Sequence, residues 1–488
     1  MKKLNIKIAV LTLIAFVSFN YNAIAQVGIG TLTPDASSML DLSSTEKGML
    51  APRMTSAERA AIASPANGLL VYDITENAFY FFKSSVWTKM DSASVTRSNH
   101  KIITSAADLS DELAAGGGSK YLLSSDTLYE INGEVTLAKS IDLNNAYLVG
   151  LDTNEDVLKK TGGIMFVGSS GGSIRNLTLT ATGGTVFNLT GTSTENFVFR
   201  DSIVASSASV GSIDGFGLVF LSIVQFAGNT TGITYSNVTD LLLSNMGWFS
   251  NNSGTYETFT GTFGIIEKQG GFSEMNGANI GLDVSSNPAV GKGILTGASF
   301  SGTSTQYVKG YTAGCYAGFS FSNAWTVDCP GIPVESDQLA SGNIYYDGGI
   351  TTGFVQTVTN GTALNLQGNS NSNSTAAVNL LRMSSPQDNR LKYLGKKTRT
   401  FQINATLSVR GNSGVGDYYA FFIQKNGTET LVETNTLMRV NNTSDISSNS
   451  ISGTVTLDPG DYIEIWGERL TGSGTTSITV FSLNMNIK

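Results

Sequence analysis

Residues 173–181 read SIRNLTLTA, and the same kind of short apolar strand returns three times: ENFVFRDSIV at 195–204, GLVFLSIVQFA at 217–227 and DLLLSNMGWF at 240–249. Counted from Ile174, Phe197, Leu218 and Leu241, the repeats are 23, 21 and 23 residues apart. A period of this size, with Gly and Asn between the strands, predicts a β-solenoid. One coil cannot bury its apolar side alone, so coils stack and share an interior. A two-sheet sandwich also yields short strands, but seldom at such even spacing.

The pattern extends in both directions. Upstream, residues 106–115 read as a short helix with Leu109 and Leu113 on one face, followed by strands at Tyr121–Leu123, Leu128–Ile131 and Val135–Leu137. The solenoid is expected over residues 101–346, about ten coils and roughly 50 Å long at about 4.8 Å per coil. Downstream, residues 350–488 predict an antiparallel sandwich. Phe401, Ile403, Ala405, Leu407 and Val409 alternate, Asn426-Gly427 marks a hairpin, and Phe481, Leu483, Met485 and Ile487 alternate again. Tyr418, Tyr419, Phe421 and Phe422 are more apolar than a one-sided strand needs. Their surplus row is expected to face neighbouring subunits around a threefold axis, the alternative being a thicker two-sheet core within one chain.

The start of the chain has a different character. Lys2, Lys3 and Lys7 precede an apolar run from Ile8 to Phe19, and Ala23-Ile24-Ala25 supplies a cleavage site. Residues 1–25 are therefore expected to be a secretory signal peptide, cut between Ala25 and Gln26; an N-terminal anchor helix is the alternative. Residues 26–90 form a small module with a capping box at Thr55 and Glu58, a short helix through Ile62, and strands at 69–73 and 78–83. Residues 91–100 read as a polar linker holding the only histidine, His100. The fold class expected is all-β: a parallel β-helix, a C-terminal jelly-roll sandwich and a small N-terminal module.

Three resemblances bear on this reading. The string VGIGTLTPDASSMLDLSSTEKGMLAPRMTSAERAAIASPANGLLVYDITENAFYFFKSSVWTKM, residues 27–90, resembles a module at the N-terminus of many secreted Bacteroidetes proteins. The same type of string occurs in tail fibres of phages of these bacteria, but a signal peptide favours the bacterial origin. The opening helix, the pattern formed by Gly133, Val135, Leu137, Ser140, Ile141 and Leu143, and the SIRNLTLTA coil resemble right-handed β-helices of pectate lyases, phage tailspikes and adhesins. The C-terminal string FQINATLSVRG with DYYAFFIQKNGTE, VTLDPGDYIEIWGER and TSITVFSLNMNIK resembles the jelly-roll heads of phage tail fibres, similar to the tumour-necrosis-factor type. Such heads are commonly trimeric, which implies a homotrimer.

Composition narrows the chemistry. The chain has 488 residues, with 30 Lys plus Arg against 38 Asp plus Glu, a net charge of -8. Loss of the three leader lysines would make it -11. An acidic chain with few basic clusters is not expected to bind nucleic acid. One histidine cannot build a zinc site of several imidazoles, two cysteines do not replace the missing ones, and no cofactor is implied. In an oxidising compartment Cys315 and Cys329 are expected to pair, the alternative being two free thiols. Gly168-Ser169-Ser170-Gly171-Gly172 fits G-x-S-x-G, yet no histidine follows it. Asp152-Thr153-Asn154-Glu155-Asp156 is an acidic loop with too few guaranteed oxygens for a calcium site.

Glycoside cleavage would need two carboxylates facing across a groove. The solenoid offers Asp201, Asp214, Asp240, Glu257, Glu267 and Asp283. Arg200 and Lys268 adjoin Asp201 and Glu267, but neighbours on a strand point to opposite faces. Trp248, Phe249, Tyr256 and Phe259 are expected to stack inside the solenoid rather than on sugars. Asp91-Ser92-Ala93, Asp126-Thr127-Leu128 and Asp201-Ser202-Ile203 resemble short O-glycosylation signals of Bacteroidetes secreted proteins. The function expected is an exported cell-surface fibre or adhesin that binds a glycan or other surface ligand without turnover. The alternative is a secreted polysaccharide-degrading β-helix enzyme.

Overall fold

A computed structural model describes residues 8–12, 26–90, 99–368 and 375–488. The expected cleavage site after Ala25 and the Asp91-Ser92-Ala93 triplet fall outside these residues. The chain divides into two units, residues 1–97 and 98–488.

In the second unit, strands one coil apart pair in parallel. A nine-stranded sheet runs from Lys120–Leu122 to Val308–Lys309, and a longer one from His100–Ile103 to Trp325–Asp328. This is the predicted parallel β-solenoid, with about nine coils and a length of roughly 40 Å. Inward side chains stack in register: Leu148, Ile174, Phe199, Leu221 and Leu243 form one buried ladder. Each ladder step removes apolar surface that a lone coil would leave in water, and this holds the stack together. Ile174 stacks on Phe199, not Phe197, so the true step here is 25 residues and then 22.

The corners have their own chemistry. Asn176, Asp201, Ile223, Asn245 and Gly270 lie one coil apart and all have φ between 52° and 64°. Left-handed backbone is easy for Gly, Asn and Asp and strained for a β-branched residue, so Ile223 is the outlier. At another corner Asn252 Oδ1 accepts from Asn229 N at 2.8 Å and from Asn229 Nδ2 at 3.1 Å, while Asn252 Nδ2 donates to Phe226 O. This buried Asn ladder satisfies main-chain groups that no strand pairs.

The expected helix is present as a 3-10 turn at Ala106–Leu109 followed by an α-helix at Ser110–Ala115. Its Glu112 is buried and takes Lys101 Nζ at 2.7 Å and Tyr129 Oη at 2.9 Å. His100 does not sit in a solvated linker: it opens the first strand, with Nε2 2.9 Å from Glu130 Oε2.

The head is an antiparallel sandwich of two six-stranded sheets. In one, Thr475–Ile487 lies between Arg399–Gly411 on one side and both Ser341–Asp347 and Phe354–Thr359 on the other. Ser341–Asp347 thus belongs to the head, although the sequence places residues through 346 in the solenoid. The alternating residues Phe401, Ile403, Leu407, Leu483 and Met485 all point into the core. Tyr419, Phe421 and Phe422 are also buried within the single chain, and only Tyr418 is exposed, at 41%. The strand is covered on both faces, so the surplus row expected to meet neighbouring subunits does not exist there. Arg382, 1% exposed, ties head to solenoid: its guanidinium donates to the carbonyls of Ser322 and Trp325 and faces Asp337 Oδ1 at 3.3 Å.

In the first unit, Arg53–Met54, Leu70–Asp73, Ala78–Lys83 and Val86–Lys89 form a four-stranded sheet. The helix Ser56–Ala61 carries the expected capping box, with Glu58 N donating to Thr55 Oγ1 and Thr55 N to Glu58 Oε2. Asp73, fully buried, fastens the helix to the sheet through Arg59 at 2.9 Å and Ser56 Oγ at 2.8 Å, and Arg59 lies 3.6 Å over the Tyr80 ring. A separate pair of parallel strands, Val27–Ile29 and Leu40–Leu42, stands apart from that sheet.

Candidate functional site: the assembly and ligand-binding surfaces

The parallel pair in the first unit has no covered face. Val27, Ile29, Leu40 and Leu42 are 54%, 56%, 51% and 45% exposed. Leu32, Met39, Met49 and Leu50 are exposed as well, and among the described residues of this unit the buried apolar ones are Ala51 and Val71. Two short strands without an apolar cover are marginal in water at best. An apolar surface this continuous marks an association site.

The second surface is the outer face of the long solenoid sheet. Val198, Phe220, Leu242, Glu267 and Ile294 stack outward, one per coil. Beside them run two further rows, Leu218, Asp240, Ile265 and Lys292 on one side, and Ser222, Ser244 and Gln269 on the other. Alternation forces this, because residues between them fill the interior. A shallow depression of about 160 Å³ lies among Phe220, Leu242, Ser244, Glu267 and Gln269. An aromatic ring edged by hydroxyl, amide and carboxylate groups suits a sugar's mixed apolar and polar faces.

Four of the six candidate acids are taken up by partners of their own. Glu257 is in the interior, in an otherwise apolar ladder with Ile233 and Leu282. Its Oε1 lies 3.0 Å from Lys268 Nζ, which interrupts the ladder of Leu243 and Leu295 on the opposing sheet. Burial pushes the Glu257 carboxyl above its ordinary range, against the pull of Lys268. Asp201 pairs with its neighbour Arg200 at 2.9 Å. The strand rule fails there because φ of 52° at Asp201 breaks the alternation. Asp214 accepts from Asn237 Nδ2, and Asp283 pairs with Lys309 at 3.1 Å one coil on. Asp240 and Glu267 remain together on the outer face, one coil and two residues apart.

Trp248, Tyr256 and Phe259 are buried, Trp248 stacking on Tyr256 at 4.5 Å, while Phe249 is half-buried against Phe272. In the acidic loop, Asp156 accepts from the amides of Gly133, Leu151 and Asp152, so its oxygens are committed. The two cysteines are not bridged: both thiols are free, Cys329 buried and Cys315 donating to Tyr311 O at 3.2 Å. Glu335 escaped the sequence reading. It is buried behind a cavity of about 230 Å³, but its oxygens accept from Ser320 N and Phe321 N and hold that loop.

Residues 28–104 match a family model described as a phage tail like trimerisation region. The matched segment includes the exposed strand pair from Gly28 onward and the first solenoid strand. No curated protein matches the chain. Among solved structures, the chain is similar to murine APRIL (11% identity, 30% of this chain and 98% of that one, TM-score 0.20) and to Eiger TNF from S. frugiperda (11%, 30% and 92%, 0.21). It is also similar to the enzymatically active domain of tailspike protein 4 of bacteriophage CBA120 (12%, 90% and 77%, 0.23). At TM-scores this low the fold rests on the chain's own strand pairing.

Proposed function

We propose that this chain is one subunit of a homotrimeric surface fibre or adhesin, exported by a Bacteroidetes bacterium, that binds a glycan without turning it over. The observation that carries this reading is the uncovered apolar strand pair Val27–Ile29 and Leu40–Leu42. Three copies wrapped around one axis give those side chains partners, and the trimerisation match over residues 28–104 supports the same assembly. Three equal sites gain avidity of about 10² to 10⁴ over one. The commitment of Asp201, Asp214, Glu257 and Asp283 to donors of their own supports binding over catalysis.

Sedimentation of the full chain tests the assembly. The parent should run as a trimer, and Ile29→Asp with Leu42→Asp should release monomers with an unchanged β-signature in circular dichroism. A parent that stays monomeric at micromolar concentration overturns the reading. One observation favours the enzyme alternative: Asp240 and Glu267 lie diagonally, about 8 Å apart by strand geometry, within the range of an inverting glycosidase. Release of reducing ends from a polysaccharide, lost in Asp240→Asn or Glu267→Gln, would establish it.

A further inference from the structure

Where the last coils meet the head, the outer face runs into a groove of about 540 Å³. One wall is solenoid, with Lys292, Ile294, Asn323 and Thr326; the other is the head loop carrying Lys396 and Lys397. Ile294 is the next step after Glu267 in the outward ladder, so groove and shallow depression lie on one continuous strip. Asn323 Nδ2 donates to Leu394 O at 3.3 Å and Lys396 Nζ to Gly291 O at 3.3 Å, joining the walls.

The charge of this groove is opposite to that of the chain. Three lysines line it against one aspartate, in a protein of net charge -8, and of the three Lys396 spends a hydrogen bond on Gly291 O. That carboxylate, Asp337, is already committed. Its Oδ2 accepts from the amides of Lys396 at 2.7 Å and Lys397 at 3.1 Å, and its Oδ1 faces Arg382 Nε at 3.3 Å. Among the described residues neither Lys292 nor Lys397 forms an ion pair. Asp337 therefore positions the lysine loop and leaves the ammonium charges for something else. A groove between two domains with a surplus of lysines and polar walls suits an anionic ligand.

We propose that the groove binds the acid group of a carboxylate- or sulfate-bearing saccharide, whose neighbouring sugars lie down the strip over Leu242 and Phe220. This rests on the glycan-binding reading above and deepens it by naming the ligand class. The lysines supply charge, Asn323 and Thr326 supply hydrogen bonds, and the apolar ladder meets sugar faces.

The full chain is titrated with oligogalacturonate, a sulfated dextran and neutral dextran, at low and high salt. An acidic saccharide should bind, with oligogalacturonate against sulfated dextran telling which acid group is read. Salt should weaken it, because exposed charges are screened. Lys292→Glu with Lys397→Glu should cost at least about tenfold in affinity, roughly 1.4 kcal/mol. Lys139→Glu, an exposed lysine elsewhere, should change nothing. Binding of neutral dextran alone, untouched by the groove variants, overturns the groove and leaves glycan binding standing. Equal competition by inorganic phosphate also overturns it, since charge alone is then recognised. Binding of no saccharide overturns both.

Discussion

Glu257 Oε1 and Lys268 Nζ meet at 3.0 Å in the solenoid interior, with side chains 0% and 2% exposed. Each interrupts a ladder that is otherwise apolar, and they do so opposite one another. Removing one partner leaves a buried charge without its counter-ion. Lys268→Met is expected to cost about 3–5 kcal/mol, whereas Glu257→Leu with Lys268→Met should return close to the parent or exceed it. Chemical denaturation of the two variants checks this. A single variant within about 0.5 kcal/mol of parent would show that the pair has no such hold.

The left-handed corner at Ile223 points the other way, to a gain. Its stacking neighbours are Asp201 and Asn245, with φ of 52° at both. Ile223→Asn is expected to raise stability by about 1 kcal/mol, because Asn tolerates this backbone and the isoleucine side chain is half exposed. A lower melting temperature in this variant would contradict the assignment of strain.

Glu195 gives a pH signature. The Thr192 hydroxyl at 2.7 Å and the Thr192 amide at 2.6 Å bring its carboxyl down to about 2. The stabilisation is present above the ordinary value of 4.5 and disappears as pH falls through about 2. The melting-temperature gap between parent and Glu195→Gln should therefore shrink across that window. A gap that stays constant from neutral pH to pH near 2 would count against it.

The free thiols make a chemical prediction. Denatured protein, without reductant, should take up label at both Cys315 and Cys329. In the native state Cys329 should react more slowly, since burial both hides it and raises its pKa. Failure to label either residue after denaturation would indicate a bond between them.

Arg382 predicts the coupling of head and shaft. Arg382→Met removes donors to the carbonyls of Ser322 and Trp325. The segment between shaft and head should become sensitive to protease while the spectral signature of each remains. Unchanged protease resistance would show that other contacts suffice.

The solenoid was legible because coil after coil puts apolar residues at inward positions, and the head because Phe401–Val409 and Phe481–Ile487 alternate. What the sequence did not reveal follows from corners and distance. Spacing cannot show how many residues a corner spends, so Phe197 was aligned with Ile174 where Phe199 belongs. Lys268 and Glu257 are eleven residues apart on different sheets, and only the coil's path brings them together. Tyr418–Phe422 looked surplus because a strand covered on both faces within one chain reads like one awaiting a partner subunit. The lysine groove draws on residues 292 and 397, whose proximity no local pattern records. Asp337, which holds its loop, carries no motif at all.

The placement of Thr475–Ile487 has a consequence for how the molecule is made. Each solenoid coil needs only the coil before it, so the solenoid can grow in step with synthesis. The head cannot. Its strands at 341–347, 354–359 and 399–411 all wait for one that follows them in the chain, with open edges until it arrives. A chain interrupted before residue 475 would carry a finished shaft and an adhesive, unfinished head. Docking of that strand is the step that closes those edges.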